Sequence, residues 1–339
     1  MNIVIIPSYN PNDKLIKVVK DLKQVNLNNL VVVDDGSASK TIFKKLEKEC
    51  IVVHHNINMG KGAAIKTGVR KAIKEYKNIN GFIFVDGDGQ HLAKDVKKIN
   101  DELNKNDEII LGVRDFNDPN VPSRSKFGNK ASRLYFKLAT GKTLSDTQTG
   151  LRGIPYKYEN YLLYTEGNRY EYEMNFLLNT ANDGIPFKTI NITTVYEENN
   201  KESHFNPIKD SIRIYAEPLK YIVSSLSSFI IDVLLFSLFN KISGLVFFAN
   251  ILARFISGTY NYCVNKYWCF KSYGKHELPK YLLLFFTQML ISSGLLKLFS
   301  LLDNHFIILK IIIDFIIFVV NYLIQKRYIF KEKVFEKKL

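Results

Sequence analysis

Cysteine is nearly absent from this chain: three occur in 339 residues. Cys50, Cys263 and Cys269 have neither disulfide nor metal-ligand spacing, which excludes a disulfide-stapled scaffold and a thiolate zinc site and fits a reducing compartment. Histidine supplies no zinc site either, because His91 and His204 stand without metal-ligand company. A secretory signal is missing as well. The first apolar run, Ile3–Pro7, is far too short and has no basic lead-in, so the N-terminal half is expected to stay in the cytoplasm. Residues 1–217 contain no long apolar run. They alternate short apolar strands with lysine-rich helical stretches, whereas residues 218–325 are dominated by Leu, Ile, Phe and Val. The length suits about two domains. A net charge of +14 would suit nucleic acid. Many of the basic residues flank the apolar helices, however, where the positive-inside rule and anionic head groups account for them, and no nucleic-acid partner is expected.

The most informative stretch present is GFIFVDGDGQH, Gly81–His91. A hydrophobic strand, Phe82–Val85, runs into Asp86 and Asp88, each followed by a glycine that leaves room for a ligand. Strand alternation would send both carboxylates to one side, where they repel unless a cation sits between them. A hard divalent ion that also holds a diphosphate meets that need; a polar turn after a buried strand is the plainer alternative. Further strands are expected at Asn2–Ile6, Leu30–Val33, Ile51–His54 and Glu108–Val113, with amphipathic helices at Leu15–Gln24, Ile42–Glu49 and Gly62–Tyr76. This alternation predicts a parallel sheet whose ligands gather at the carboxyl ends of its strands. PSYN (Pro7–Asn10), DDGS (Asp34–Ser37), NMGKGAAIKTG (Asn58–Gly68) and DGDGQH all fall at those ends, as the lining of one cleft.

Four apolar segments, about Leu219–Phe239, Leu245–Val264, Tyr281–Leu302 and Phe306–Ile324, each have roughly the 20 residues that a bilayer core requires. The turns Asn240–Gly244 and Asp303–His305 are nearly free of positive charge. The connection between the second and third segments carries Lys266, Lys271, Lys275 and Lys280, and QKRYIFKEKVFEKKL closes the chain with six more Lys or Arg. That bias predicts four spans with the N-terminal domain, the middle loop and the C-terminus cytoplasmic. NYCVNKYWCF (Asn261–Phe270) and NYLIQKRYIF (Asn321–Phe330) repeat at an offset of 60 residues, as a parallel repeat of two helix hairpins would. Asp232, Arg254, Lys297 and Asp314 place charge inside the spans, at about 2.5–3.5 kcal/mol each on insertion scales. Either interhelical ion pairs or a polar path or phosphate site accounts for them.

The N-terminal motifs IPSYN, VVVDDGS, NMGKGAAIKTG, VDGDGQH, GVRDF (Gly112–Phe116), DTQTGLRG (Asp146–Gly153) and RYEYEMNFLL (Arg169–Leu178) occur in order. Through them the chain resembles family 2 glycosyltransferases, and among these the polyprenyl-phosphate sugar synthases similar to dolichyl-phosphate mannose synthase. The membrane half is similar to GtrA-like four-helix proteins. The resemblance implies an α/β fold of the GT-A type, a Rossmann-like mostly parallel sheet over residues 1–205. An interfacial helix or linker at 206–218, an all-α four-helix transmembrane domain at 219–325 and a basic cytoplasmic tail at 326–339 would follow. Pro11 stands where the family commonly has an acidic residue. The QxxRW motif of processive polysaccharide synthases is absent.

By the same resemblance, Pro7, Tyr9, Asn10, Asp35 and Lys61 contact the donor, with Asp34 capping its turn. Asp86, Asp88 and Gln90 hold Mg²⁺ or Mn²⁺ on the donor diphosphate. Arg114, Arg124, Arg133 and Arg152 take the acceptor phosphate, as arginine forks suit phosphate oxygens. Arg114 and Arg152 belong with Asp86, Asp88 and Asp146 in the catalytic set. Asp146 or Glu171 is the carboxylate to consider if a base is used, or each orients an arginine or binds sugar. The implied activity is inverting transfer of a hexose from a nucleotide sugar to undecaprenyl phosphate at the cytoplasmic face of the inner membrane, for cell-envelope glycan modification. UDP-glucose or UDP-N-acetylglucosamine is the expected donor, with GDP-mannose behind them. A processive polysaccharide synthase is disfavoured by the missing QxxRW. A lipid-sugar flippase or scaffold that only binds nucleotide sugar is opposed by the intact DGDGQH. The sequence leaves room for a homo-oligomer.

Overall fold

The computed structural model describes residues 1–118, 121–193, 206–244, 246–272, 274, 276–300 and 306–330. His204, Lys275, the turn at 303–305, the tail from 331 onward and the side chains of Lys297 and Asp314 lie outside this description. The chain divides into two compact units, Met1–Ile214 and Tyr215–Leu339.

In the first unit seven strands form one sheet: β1 (Asn2–Ser8), β2 (Leu30–Asp34), β3 (Ile51–His54), β4 (Gly81–Phe84), β5 (Ile109–Val113), β6 (Arg152–Pro155) and β7 (Phe187–Asn191). Their order is β3-β2-β1-β4-β6-β5-β7. All ladders are parallel except those of β6, which runs antiparallel to β4 and β5. Every residue of β1 and β2 is buried, as expected of parallel strands covered on both faces. Alternate side chains feed two cores. Ile3, Ile5, Val31 and Val33 pack with α3 (Lys61–Glu75), α5 (Ser123–Thr140) and α7 (Glu171–Asn182), while Val4, Ile6 and Val32 pack with α1 (Lys14–Gln24), α2 (Thr41–Leu46) and α4 (Ala93–Leu103). The short helices α6 (Glu159–Tyr164) and α8 (Lys209–Ile214) complete the unit. β1 lies between β2 and β4, so the strand order reverses at β1 and a crevice opens beyond these strand ends.

Two local differences from the sequence reading matter. β4 ends at Phe84, so Asp86 and Asp88 stand beyond the strand and alternation does not orient them. The turn does that work, with Gly89 at φ +82°. β6 was not anticipated, because its four residues, RGIP, have the composition of a turn rather than a strand. Packing compensates, since a Cβ at Gly153 would stand 2.7 Å from Ile99 Cγ2. The backbone therefore approaches α4 more closely than any other residue would permit.

The second unit contains α9 (Ala216–Ser243), α10 (Val246–Val264), α11 (Glu277–Ser300) and α12 (Phe306–Ile324), in the places where the four apolar segments were read. Among the described residues one helix, α9, is long and apolar enough by itself to cross a membrane. Both α10 and α12 end in a single π-helical turn, Asn265–Cys269 and Gln325–Ile329, again 60 residues apart. The repeat extends further than the sequence motif. Lys266 pairs with Glu277 at 3.0 Å and Lys326 with Glu217 at 2.5 Å. Tyr262 packs on Tyr281 and Tyr322 on Tyr221, with ring centroids 5.2 and 5.1 Å apart. Phe270 stacks on its own equivalent, Phe330, at 5.2 Å, and Asn265 Nδ2 donates to its equivalent, Gln325 Oε1, at 3.0 Å. Contacts that exchange repeat for repeat are what a local two-fold axis produces. Beside them a cavity of about 390 Å³ is lined in part by Asp232, Arg254, Ser257 and Asn321. Ser257 Oγ donates to Asp232 Oδ1 at 2.8 Å, and among the described residues no ion pair joins Asp232 to Arg254.

The exchanged ion pairs give a direct test. Glu217 also accepts from the Tyr322 hydroxyl at 2.8 Å, so Glu217→Lys should lower the thermal midpoint in detergent, at a cost of about 1.5–3 kcal/mol. Adding Lys326→Glu should recover most of that loss. Simple additivity of the two losses would contradict the pairing.

Candidate active site

The crevice beyond β1, β2 and β4 is a cleft of about 730 Å³. Pro7, Tyr9 and Asn10 line it from the end of β1, Asp35 from β2, Lys61 from the start of α3, and Asp86 and Asp88 from the turn after β4. The first two loops are stitched together. Asn10 N donates to Ser37 Oγ at 2.8 Å, and Asn10 Oδ1 accepts from Ala38 N at 2.9 Å. Asn10 takes φ +46° to do so, a left-handed conformation that asparagine tolerates better than most residues. Asp34 caps its turn, accepting from Ser37 N at 2.8 Å and bonding His54 Nδ1 at 2.7 Å, with Lys40 beside it. Burial raises its pKa, but these bonds outweigh burial and hold it below the usual value. Asp35 is equally engaged. Its oxygens contact His55 Nδ1 (2.8 Å), Asn58 Nδ2 (3.0 Å), Met59 N (2.8 Å) and Gly60 N (2.8 Å). Four partners fill the lone-pair capacity of a carboxylate. Its geometry is thus that of an anchor which shapes the floor of the pocket around NMGKG.

Charge in the site centres on Asp86. Lys61 Nζ stands 2.7 Å from Asp86 Oδ1 and 3.0 Å from Glu173 Oε1, and His91 Nε2 lies 3.4 Å from Asp86 Oδ2. Burial pushes the Asp86 carboxyl up, yet Lys61 and His91 hold it far below the ordinary range. Burial likewise disfavours the Lys61 ammonium, and the charges of Asp86 and Glu173 more than restore it. Asp88 differs. Burial and the neighbouring Asp86 charge both raise its pKa, and the backbone N–H of Gln90 at 3.0 Å does not offset them. Among the described residues Asp86 has a resident cation and Asp88 forms no ion pair. Gly150, from the DTQTG loop, closes the arrangement, since a Cβ there would stand 2.1 Å from Asp86 Oδ2. Gly60 must also be glycine: φ is +102°, and a Cβ would meet Asn168 O at 2.4 Å.

The remaining residues picked from the sequence fall into distinct places. Arg114 forks onto Asp146, Nε to Oδ2 at 2.7 Å and Nη2 to Oδ1 at 3.0 Å. Asp146 is fully buried, so of the roles open to it, orienting an arginine is the one its geometry has. Arg152 is only 4 % exposed and is not among the residues lining the cleft. Its Nε donates to Thr149 O at 2.9 Å and its Nη1 to Glu173 O at 3.0 Å, so it supports Glu173 from behind. Arg124 and Arg133 lie on the exposed side of α5, Arg133 Nε donating to Leu144 O at 3.1 Å. Gln90 touches Asp88 through its backbone and does not line the cleft. Glu171 accepts from Asn168 N and Arg169 N at the start of α7. Glu173, two residues on, is the carboxylate that meets Lys61. Arg169, Tyr170, Lys209 and Arg213 also line the cleft. The last two stand on α8, where the sequence pattern suggested only a membrane-surface helix.

Two aspartates at one turn, one of them with no ion pair among the described residues, fit a divalent ion that takes one or two carboxylates and completes its shell with substrate phosphates. Among the described residues no group of three or more His, Cys, Asp or Glu would hold a metal alone.

Residues 3–162 match glycosyl transferase family 2, and residues 220–330 match the GtrA/DPMS transmembrane domain. The chain is 32 % identical over 200 residues to an uncharacterized protein of Methanocaldococcus jannaschii, covering 58 % of this chain and 82 % of that protein. It is 30 % identical over 217 residues to the UDP-N-acetylglucosamine–dolichyl-phosphate N-acetylglucosaminyltransferase of Methanococcus voltae, covering 58 % of this chain and 86 % of that protein. Among solved structures, glucosyl-3-phosphoglycerate synthase of Mycobacterium tuberculosis aligns with a TM-score of 0.49 at 13 % identity, over 65 % of this chain and 77 % of that one.

The unshared charge on Asp88 carries a stability signature. Its folded pKa is raised, so the folded state holds its proton to higher pH than the unfolded state does. The penalty of ionised Asp88 is then fully present at neutral pH and is relieved as pH falls through the raised pKa. Asp88→Asn should therefore raise the thermal midpoint of the metal-free protein at pH 7, with the gain shrinking towards pH 4. An unchanged or lowered midpoint at pH 7 would show that Asp88 bears no such penalty.

Proposed function

The chain belongs to glycosyl transferase family 2 and carries a GtrA/DPMS transmembrane domain, and we propose that it moves a hexose from a UDP-sugar to undecaprenyl phosphate at the cytoplasmic face of a membrane. The single observation that carries the mechanism is the pair Asp86 and Asp88, both lining the cleft, with one cation between the two of them. The relative whose name specifies UDP-N-acetylglucosamine and a dolichyl-phosphate acceptor supports both substrate classes, and UDP-N-acetylglucosamine or UDP-glucose is the donor we assign. Mg²⁺ or Mn²⁺, held by Asp86 and Asp88, would supply positive charge to the departing diphosphate.

The protein's own groups do the rest. Pro7, Tyr9 and Asn10 shape the nucleoside pocket over the floor that Asp35 fixes, and Lys61 turns towards the diphosphate when the donor enters. An oxygen of the acceptor phosphate attacks the anomeric carbon from the face opposite the diphosphate. The new carbon–oxygen bond forms as the bond to UDP breaks, UDP leaves with the electron pair, and the anomeric centre inverts. A lipid phosphate is largely ionised at neutral pH, its second pKa being near 6 by analogy with phosphoserine, so no general base is needed. It does need cations beside an anionic donor. Lys209 and Arg213 line the cleft and take that role together with Arg114, whose fork Asp146 holds. Arg152 acts by positioning Glu173. The helices of the second unit make four spans that keep the enzyme at its lipid substrate, and the polar cavity beside Asp232 and Arg254 suits a sugar-phosphate head group.

Purified full-length protein incubated with short-chain polyprenyl phosphate, a divalent ion and UDP-glucose, UDP-N-acetylglucosamine or GDP-mannose should yield a glycolipid with a UDP-sugar, read by mass spectrometry. No glycolipid from any donor would overturn the reading. Replacing both Lys209 and Arg213 by Ala should raise the KM for the lipid by about one to two decades, the worth of a charge-assisted contact, with little change in the KM for the donor. An effect confined to the donor would move these cations to the diphosphate.

A further inference from the structure

We propose that the Asn58 side chain occupies the nucleobase subsite as a stand-in for the donor's uracil, and that Arg169 reads the base once Asn58 rotates out. Asn58, Asp35 and Arg169 all line the cleft. Asn58 Nδ2 donates to Asp35 Oδ2 at 3.0 Å, and Asn58 Oδ1 accepts from Arg169 Nη1 at 2.9 Å. The amide cannot sit the other way round, since a guanidinium only donates and a carboxylate only accepts. Its edge therefore presents an N–H to the acid and a C=O to the arginine. Uracil carries the same N–C=O unit at N3–H and O4.

Both readers stay in place without Asn58. Asp35 keeps His55, Met59 N and Gly60 N. Arg169 has its backbone N–H on Glu171 Oε1 at 3.2 Å, and its stem lies against Gly60, where a Cβ would stand 2.4 Å from Arg169 Cγ. Among the described residues no carboxylate pairs with its guanidinium, so the bond to Asn58 can be exchanged for one to a ligand's carbonyl. Asn58 is free to leave. Its neighbours Ile57 and Met59 are 71 % and 47 % exposed, which puts open solvent beside it. The backbone of Ile57 and Asn58 packs tightly on Gly36, so the exchange is a side-chain rotation rather than a loop movement.

The chemistry of the pair decides which bases it accepts. Uracil gives N3–H to Asp35 and O4 to Arg169, its O2 being flanked by the ribose on N1. Cytosine reverses this edge: N3 accepts and the 4-amino group donates. A lone pair would then face the carboxylate and an N–H the guanidinium. Adenine carries the same reversal at N1 and its 6-amino group, whereas guanine, with N1–H beside O6, passes. The pair thus separates keto from amino bases, and it does so strongly because the wrong base leaves its polar groups unpaired. Arg169 is then a specificity-determining residue, separate from the cations assigned to the acceptor. This inference rests on the reading of the donor as a UDP-sugar.

Calorimetric titration of UDP and of CDP into the full chain, in detergent with Mg²⁺, tests this, because the two nucleotides differ only at that edge. Wild type should bind UDP at least about tenfold more tightly than CDP, as a charge-assisted contact would give. Arg169→Ala should weaken UDP by about tenfold and leave CDP unchanged or improved. The preference then collapses, and the retained CDP binding shows an intact fold. Asn58→Ala vacates the subsite and should bind UDP as tightly as wild type or more tightly, as removal of a competing conformer requires. Equal losses for UDP and CDP in Arg169→Ala would put the arginine on phosphate or ribose, overturning the proposal and leaving the donor reading intact. Equal affinities in wild type, or UDP bound about tenfold more weakly by Asn58→Ala, overturn it likewise. A wild type that binds neither nucleotide defeats the donor reading and the proposal with it.

Discussion

A partly buried carboxylate that must stay ionised is the constraint around which the catalytic unit is arranged. Asp86 meets it through Lys61, and Lys61 in turn needs Glu173. Removing one partner of such a pair would leave an uncompensated charge, which costs several kcal/mol. The need propagates outward. α3 has to begin at Lys61, which requires the left-handed turn at Gly60. α7 has to bring Glu173 beneath the ammonium, and Arg152 is buried behind Glu173 to hold it there. Gly150 lets the loop between α5 and β6 close against the carboxylate. Four segments far apart in sequence thus converge on one ionic cluster, and Asp88 is left beside it with no ion pair among the described residues.

Much of this was legible in the residues. The strands β1 to β5 and helices α1 to α3 fall where periodicity put them, because fully apolar runs and amphipathic helices are local signals. The strand-end motifs line one cleft for the same reason: a parallel sheet has to deliver its carboxyl ends to one edge. What escaped were features decided by packing at long range. β6 has the composition of a turn, and its pairing partners lie about 70 and 40 residues earlier in the chain. Glu173 and Glu171 occupy adjacent odd positions of one motif, and only the helix start at Glu171 decides which one bonds the preceding backbone and which one reaches Lys61. Arg152 reads from sequence as a phosphate ligand, and its burial could not be inferred from its neighbours. Asp35 likewise looks like a free carboxylate until Asn58, Met59 and Gly60 are brought over it.

The membrane unit shows the same division between local and long-range information. Helix positions followed from apolar length, and the motif NYCVNKYWCF announced the repeat. Glu217 and Glu277, which open α9 and α11, also match at an offset of 60, but scattered identities in apolar helices attract no notice until they pair crosswise with Lys326 and Lys266. Those pairs act where the helices end, at the same level as the stacked phenylalanines. The two-fold arrangement accordingly depends on a band of polar and aromatic contacts rather than on the spans themselves, where lipid competes with any apolar partner.

We propose that the cation site is incomplete until the donor's diphosphate arrives, because Asp86 already has Lys61 and, among the described residues, Asp88 has no ion pair. Titration of Mn²⁺ followed by its electron paramagnetic resonance signal tests this directly, with the wild-type protein alone and in the presence of UDP. We expect weak binding of the ion to the protein alone and binding at least about tenfold tighter with UDP present, a coupling of about 1.4 kcal/mol or more. Equally tight binding with and without UDP would contradict this coupling, as it would mean that the protein holds the metal by itself.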